Sequence, residues 1–559
     1  MPPLSLHASI LAVSIGLFIS PLAVFAQTPG TIFGAVYFDS AKNVFSYAAG
    51  PVTAGSVAFG SYTDMNGTES NFGQLSITTV SAGGNDTVQM YAAGYLEAAL
   101  TQPRIWSHAN NTLAWISSQF KGGVIPPVVE AFFTTQDAWT RAQIASNTSA
   151  YWKGMSAILS QFDGMVAGYQ ALAPSDQTLS LFDLQSVGAI GDYLDLIVAL
   201  TDDGPNYDNM TDSELMATVR KNNHCSALVK VTGDFSELFF SHVAWFIFQS
   251  TTRIFKHYNF IGLTQPEIAG RQMSFSSYPA YLSSLDDFYA IWDSGIAVLE
   301  TTNNVFNKSL YTAVIPQSLF AWHRVRLANL LAHTPPEWAA TFSEHNSGTY
   351  NNQYPVINVG AFVPGSALPP DLLWIVEQVP GLIVSGDATE ILALGHFPSY
   401  NIPFWREIYD ISGYKEQISK RRKAGEPLGE LSGLDWQLAP RAKIFRRDAG
   451  KVTDMASFLS LMRSNDYKND PYAAGSPWNA ICSRGDLAGS PDGCLDGKAS
   501  MASMWASKTA LAINGPTTGS AFAHGPLPPF SWSEFPTTPH EGLPQVYDFD
   551  FEEMKSNAW

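Results

Sequence analysis

Residues 224–246 read HCSALVKVTGDFSELFFSHVAWF. Two strand-like runs, 225–231 and 236–246, flank Thr232-Gly233-Asp234 as a turn, so the stretch predicts a β-hairpin. Cys225 stands at its first residue. The residues before it, 205–224 (PNYDNMTDSELMATVRKNNH), are polar, hold turn formers and a sequon, and are expected to form an exposed loop.

That position has a chemical meaning. If the bond between His224 and Cys225 is cut, the thiol and the freed α-amine share one residue. An α-amine titrates near ~7.7–8.0 and a thiol near ~8.5, so the amine can take the thiol proton near neutral pH without a separate histidine. Attack on an acyl carbon would give an acyl-enzyme for water to hydrolyse. The same position also reads as an ordinary buried cysteine opening a strand, because free cysteine is among the most buried residue types. The hairpin alone leaves both readings open.

The other two cysteines, Cys482 and Cys494, enclose a Gly-, Pro- and Asp-containing loop (SRGDLAGSPDG), which in a secreted chain reads as a local disulfide and leaves Cys225 odd. Secretion is read from an apolar stretch at residues 10–25 that ends in Val24-Phe25-Ala26, expected to be cleaved before Gln27, although no Lys or Arg precedes it. Sequons at Asn66, Asn85, Asn110, Asn147, Asn209 and Asn307 point the same way.

Among 559 residues, 46% are hydrophobic and 13% aromatic, enough for a large core, and no later segment is long and apolar enough to anchor the chain in a bilayer. A net charge of -18 excludes nucleic acid as a partner; Lys420-Arg421-Arg422 and Arg446-Arg447 read as solvated surface. The pI near 5.0 suits an acidic lumen or the extracellular space equally. No linker, repeat or charge run divides the chain, so residues 27–224 and 225–559 are expected to be two fragments of one domain. Residues 34–101 show short β-rich runs and then a helix over 90–100, and the apolar spacing of 137–200 predicts amphipathic helices.

Beyond the hairpin, HCSALVK followed by SHVAW resembles the nucleophile region of the phospholipase B-like family, members of the N-terminal nucleophile hydrolases. The resemblance continues in order through LETTNNVFNKSL (299–310), HNSGTYNNQY (345–354), VEQVPG (376–381), SYNIP (399–403), PRAKIFRR (440–447), MRSNDY (462–467), ICSRGDL (481–487) and VYDFDF (546–551), and more weakly before Cys225 in AAGYLEAALTQP (92–103). It implies an α+β fold, a four-layer αββα sandwich with two stacked antiparallel sheets, and a precursor that cuts itself before Cys225. Residue by residue it makes Cys225 the nucleophile, sets His242 and Trp245 facing it from the next strand, and adds Thr302, Asn401 and Arg441. Asn401 would donate to an oxyanion, Arg441 would tune the thiol or orient the amine, and Thr302 would position the amine or a water. Plainer roles exist too: a core histidine at His242, a turn before Ile402-Pro403 for Asn401, and a surface ion pair for Arg441. Val243, Ala244 and Tyr354 depart from the family pattern and bear on the pocket rather than on Cys225. HNSGTYNNQY reads as a hydrogen-bonded support.

No G-x-S-x-G, H-E-x-x-H, C-x-x-C or phosphate-binding glycine loop is present, histidines lack metal-ligand spacing, and no cofactor is implied. The resemblance implies release of fatty acids from phospholipids through a Cys225 thioester. Alternatives are an amidase acting on N-acyl lipids or peptides and a catalytically silent lumenal binding protein. Lysosomal or secreted placement and homo-oligomerisation stay open.

Overall fold

The structure is a computed structural model that describes residues 30–51, 54–65, 71–82, 84–222, 225–519 and 527–556. The expected signal segment 1–26, the sequon at Asn66 and His224 lie outside the described residues.

The hairpin forms with both faces buried. Strand Ser226–Val231 pairs antiparallel with Leu238–Val243, with Ala227 opposite His242, and every residue of both strands is buried. Ala227, Val229, Val231, Leu238 and Phe240 point one way; Leu228, Phe239 and Val243 point the other. The second run is shorter than expected. Its strand stops at Val243, because the Ala244 N–H is captured by Asp496 Oδ1 at 3.0 Å, and Trp245–Ile247 resumes as a separate strand paired with Asp492–Cys494. Trp245 therefore does not share a strand with His242.

The hairpin sits in a six-stranded antiparallel sheet, ordered His396–Ser399, Ser226–Val231, Leu238–Val243, Asp496–Met501, Thr509–Asn514, Glu552–Lys555. A twelve-stranded sheet draws strands from both sides of Cys225: Thr31–Asp39, Val44–Ala49, Ala58–Thr63 and Gly73–Thr79 before it, and the strands between Ile254 and Asp387 after it. One pairing corrects the expected all-antiparallel pattern, since Gly73–Thr79 runs parallel to Ile254–Asn259. The chain between these strands is long, with six helices of eight or more residues among the described residues and the whole hairpin, so it can return in the same direction.

Three of the four cores found among the described residues tie the sheets to each other and to the helices. Phe255, Phe288, Leu299 and Ile375 of the large sheet meet Val229, Phe240 and Ala512 of the small sheet, so the sheets pack face to face. The outer face of the large sheet, with Ile77, Tyr258 and Val356, is covered by Leu96, Met155, Ile158 and Trp338 from helices. The outer face of the small sheet, with Leu228 and Phe239, is covered by Leu215, Phe445 and Phe458, also helical. Helix Asp86–Ser118, capped by Asn85 through Val88 N, lies close against helix Ala150–Leu172; a Cβ on Gly94 would stand 1.8 Å from Gln161 O, and one on Gly164 1.9 Å from Tyr91 O.

The expected loop at 205–224 is largely a helix, Asp212–Asn222. Its start is a T-x-x-E capping box: Glu214 Oε2 accepts from Thr211 N at 2.8 Å and Thr211 Oγ1 from Glu214 N at 3.3 Å. Leu215, Met216 and Val219 bury on the small-sheet core, which offsets the polar composition.

Candidate active site

Cys225 precedes the first strand of the hairpin, fully buried, with φ +91°, a left-handed conformation that costs a non-glycine residue of order 1–3 kcal/mol. Its Sγ donates to Glu300 Oε1 at 3.4 Å and lies 3.8 Å from Asp286 Oδ1. Burial first, and then these two carboxyls, push the thiol well above its ordinary value; the Trp245 backbone N–H and Lys498 act the other way. Burial, with Asp287 and Asp286 nearby, likewise pushes Glu300 well up, so it is held as the neutral acid. His242 Nε2 is 3.8 Å from Glu300 Oε1, and neither ring nitrogen has a partner among the described residues. Burial and then the Lys498 and Arg253 charges hold that ring well below its ordinary value, and it is neutral.

Helix Pro440–Asp448 starts with Pro440 in its first turn, which delivers Arg441 inward. Arg441 is buried and makes no surface ion pair. Its Nη1 donates to Cys225 O at 2.6 Å and Ser226 Oγ at 3.0 Å, and its Nη2 to Tyr400 O at 2.9 Å and Asn401 Oδ1 at 2.6 Å. The guanidinium lies 4.3 Å from the Trp245 ring centroid. Burial lowers it to about 9, so it stays charged at neutral pH. Asn401 has φ +67°, and its Nδ2 donates to Thr302 O at 2.7 Å. The amide thus shapes the turn and also joins the site. Thr302 Oγ1 has no partner among the described residues. The structure brings all six predicted residues into one cluster, Thr302 joining through its backbone carbonyl rather than its side chain.

The disulfide Cys482–Cys494 is present, and it reaches the site. Ile481 O, beside Cys482, accepts from both Ser226 Oγ (2.9 Å) and Trp245 Nε1 (3.2 Å), while Cys494 pairs with Trp245 across two short strands.

Sequence reasoning missed the acids and cations behind the thiol. Arg253 bridges Asp496 (2.8 Å) and Asp286 (3.5 Å), and Lys498 holds Asp496 at 2.6 Å. Glu300 was reachable: it stands two residues before Thr302 in the LETT block. Asp286 carried no such mark. Ligand atoms of Cys225, His242 and Glu300 lie within 4.8 Å of one another, a sulfur, nitrogen and oxygen set of the kind that Zn²⁺ accepts. Three separate segments supply it, so sequence spacing gave no sign of it.

A cavity of about 270 Å³ borders the site at Asp286, Thr302 and Tyr350. A second, about 280 Å³, opens against Trp245 and Phe246. Segment 205–222 walls both, through Met210 and Thr218 on one side and Arg220 and Lys221 on the other. Among the sequons, Asn85, Asn110, Asn147 and Asn209 are exposed and Asn307 is half-buried. Among the described residues no helix is long and apolar enough to cross a membrane.

Comparison with known proteins places the chain in a family. The family model described as Phospholipase B matches residues 58–554. "Phospholipase-B 81" of Drysdalia coronoides is 42% identical over 480 residues, 84% of this chain and 83% of that protein. "Phospholipase B-like 1" of Homo sapiens is 40% identical over 480 residues, covering 84% and 82%. "Phospholipase B-like protein D" of Dictyostelium discoideum is 36% identical over 477 residues, covering 83% and 82%. This chain belongs to the phospholipase B family.

Proposed function

We propose that this protein is a lipid acyl hydrolase that cuts itself before Cys225 and then uses Cys225 as an N-terminal nucleophile. The observation that carries the reading is the position of Cys225: strained, at the mouth of a hairpin, its carbonyl clamped by Arg441 and its thiol among His242, Glu300 and Asp286. Self-cleavage begins with attack of the thiol on the preceding carbonyl, which moves that acyl group from nitrogen to sulfur and so frees the α-amine; water then hydrolyses the thioester, releasing the preceding segment as a carboxylate and restoring the thiol. In turnover the amine takes the thiol proton as sulfur attacks the ester carbonyl. The leaving alcohol takes a proton, and water releases the fatty acid and restores the thiol. The Trp245 backbone N–H, which faces the thiol, and the second N–H of the Asn401 amide, oriented by Arg441, would serve an oxyanion.

The helix–sheet–sheet–helix order of the cores supports an αββα sandwich of N-terminal nucleophile type. Strands from both sides of Cys225 share one sheet, so the fragments would stay together after the cut. A lumenal or secreted setting is supported by the disulfide, the exposed sequons and the apolar stretch at 10–25.

N-terminal sequencing and intact mass of the deglycosylated protein, beside Cys225→Ala, test the cut. A fragment starting at Cys225 in the wild type and absent from the variant is expected. A chain uncut at neutral and mildly acidic pH would overturn the reading. Mass spectrometry of fatty acids released from phospholipids, with matched acyl amides alongside, tests the substrate; activity confined to amides would refute the ester assignment.

A further inference from the structure

We propose that the cavity of about 270 Å³ beside Cys225 is a head-group subsite for an alkylammonium, the cationic end of a zwitterionic phospholipid. This rests on the acyl-hydrolase reading above and adds the class of head group.

The cavity comes up to the neighbours of the nucleophile, although Cys225 itself does not line it. Two of its lining residues are Asp286, 3.8 Å from Cys225 Sγ, and Tyr350, whose hydroxyl is 3.2 Å from Glu300 Oε1. Elsewhere its wall carries Asp195 and Asp203 together with the rings of Tyr207, Phe246 and Tyr311. Among the described residues that line it there is no Lys, Arg or His. Carboxylates and π faces around one concavity favour a cation that is too large and too weakly hydrated to compete well for water. Asp203 already pairs with Lys121 at 3.3 Å. Asp195 accepts from Tyr311 OH at 2.6 Å, makes no ion pair among the described residues, and is the charge left for a ligand. Burial raises its carboxyl to about 6, so it is ionised at pH 7.

A second observation points to the anionic half of the head. Asn303 lines the same cavity, is 5% exposed, and neither atom of its amide has a partner among the described residues. The neighbouring Thr302 hydroxyl is likewise without one. A buried amide left unpaired costs free energy that a ligand can restore, and a phosphate oxygen accepting from Asn303 Nδ2 does so. An acyl chain in this cavity would instead set hydrocarbon against Asp195 and an unsatisfied Asn303.

Calorimetric titration at pH 7 of phosphocholine and of glycerol 3-phosphate into the purified protein, its processing state recorded, tests the subsite. Phosphocholine is expected to bind about tenfold or more tighter, the worth of one charge-assisted contact. Asp195→Asn, which keeps an acceptor for Tyr311, should abolish that preference. Asn303→Ala, whose amide has no partner to lose among the described residues, should weaken both ligands. No phosphocholine binding, equal binding of the two, or a preference that survives Asp195→Asn would overturn the proposal. Fatty-acid release from an acyl ester without a head group is measured on the same preparation. Its absence with phosphocholine binding intact would sink the hydrolase reading and leave the subsite standing; the reverse result would do the opposite.

Discussion

Replacing Arg441 by lysine keeps the charge and removes the fork. The two guanidinium nitrogens serve different partners, Nη1 on Cys225 O and Ser226 Oγ and Nη2 on Tyr400 O and Asn401 Oδ1. A single ammonium reaches one pair, so two hydrogen bonds to a charged group are lost, each worth about 1.5–3 kcal/mol. Ser226 keeps its bond to Ile481 O, which places the total near the lower end, about 3 kcal/mol or roughly 100-fold in a rate that depends on this geometry. The assay is the rate at which a Cys225 N-terminus appears in purified precursor, with urea unfolding alongside. Arg324→Lys is the control: Arg324 is also buried, binds Leu319 O, Phe342 O and Gln378, and contacts none of the six site residues. Both variants should lose comparable stability, and Arg441→Lys alone should cut slowly. Cutting and turnover within threefold of wild type, or slowing no greater than in Arg324→Lys, would refute the clamp.

Glu300→Gln keeps the shape of the contact with Cys225 and Tyr350 but removes the charge that a new α-ammonium would meet; kcat should fall by roughly 10–100-fold with KM little changed, and an unchanged kcat and pH profile would remove Glu300 from the reaction. Cys482→Ser with Cys494→Ser opens a loop closed across 12 residues, and unfolding free energy should drop by about 3 kcal/mol with a loss of activity through the Ile481 carbonyl; full activity in the reduced protein would deny that link. Asp192 and Glu377, raised to about 7 by burial, and Glu300 and Asp287, also raised by burial, keep protons that the unfolded chain has released above pH ~4, so stability should fall as pH rises from 6.5 to about 8. Below 6.5 that gain is opposed by His108, His257 and His323, buried and held down to about 3, which take up protons only on unfolding; a thermal midpoint that climbs steadily above 6.5 would contradict the sign.

The parts of the fold legible in sequence were those written in local pattern. The hairpin at 226–243 follows from two strand-like runs and a turn, and the long helices from apolar spacing. The helix Asp212–Asn222 was lost because composition outweighed its T-x-x-E start and its Leu215, Met216, Val219 stripe. The break at Ala244 was out of reach, since it depends on Asp496, far along the chain. The same holds for the site. Cys225 and His242 are neighbours across one hairpin, whereas Arg441, Asn401 and Thr302 came only through resemblance to a family. Asp286, Arg253 and Lys498 converge from three different strands or loops, and no local spacing encodes that convergence.

The acids around Cys225 make sense only if the chain changes state. Two carboxyls beside a buried thiol oppose the thiolate, and in the intact chain they hold Cys225 and Glu300 neutral together. Arg253 and Lys498 offset this only in part, because Asp496 holds both more closely than Asp286 holds Arg253. Cutting before Cys225 would add an α-ammonium within a residue of the same carboxyls. Glu300 could then ionise against it, and the thiol would face a cation in place of two acids. The uncut chain should therefore resist alkylation of Cys225 by iodoacetamide, while the cut protein should react at least about tenfold faster at pH 7, with Glu300→Gln narrowing the gap. Equal alkylation rates before and after the cut would show that the acids serve packing alone, and the account of Cys225 as a nucleophile armed by its own cleavage would fall.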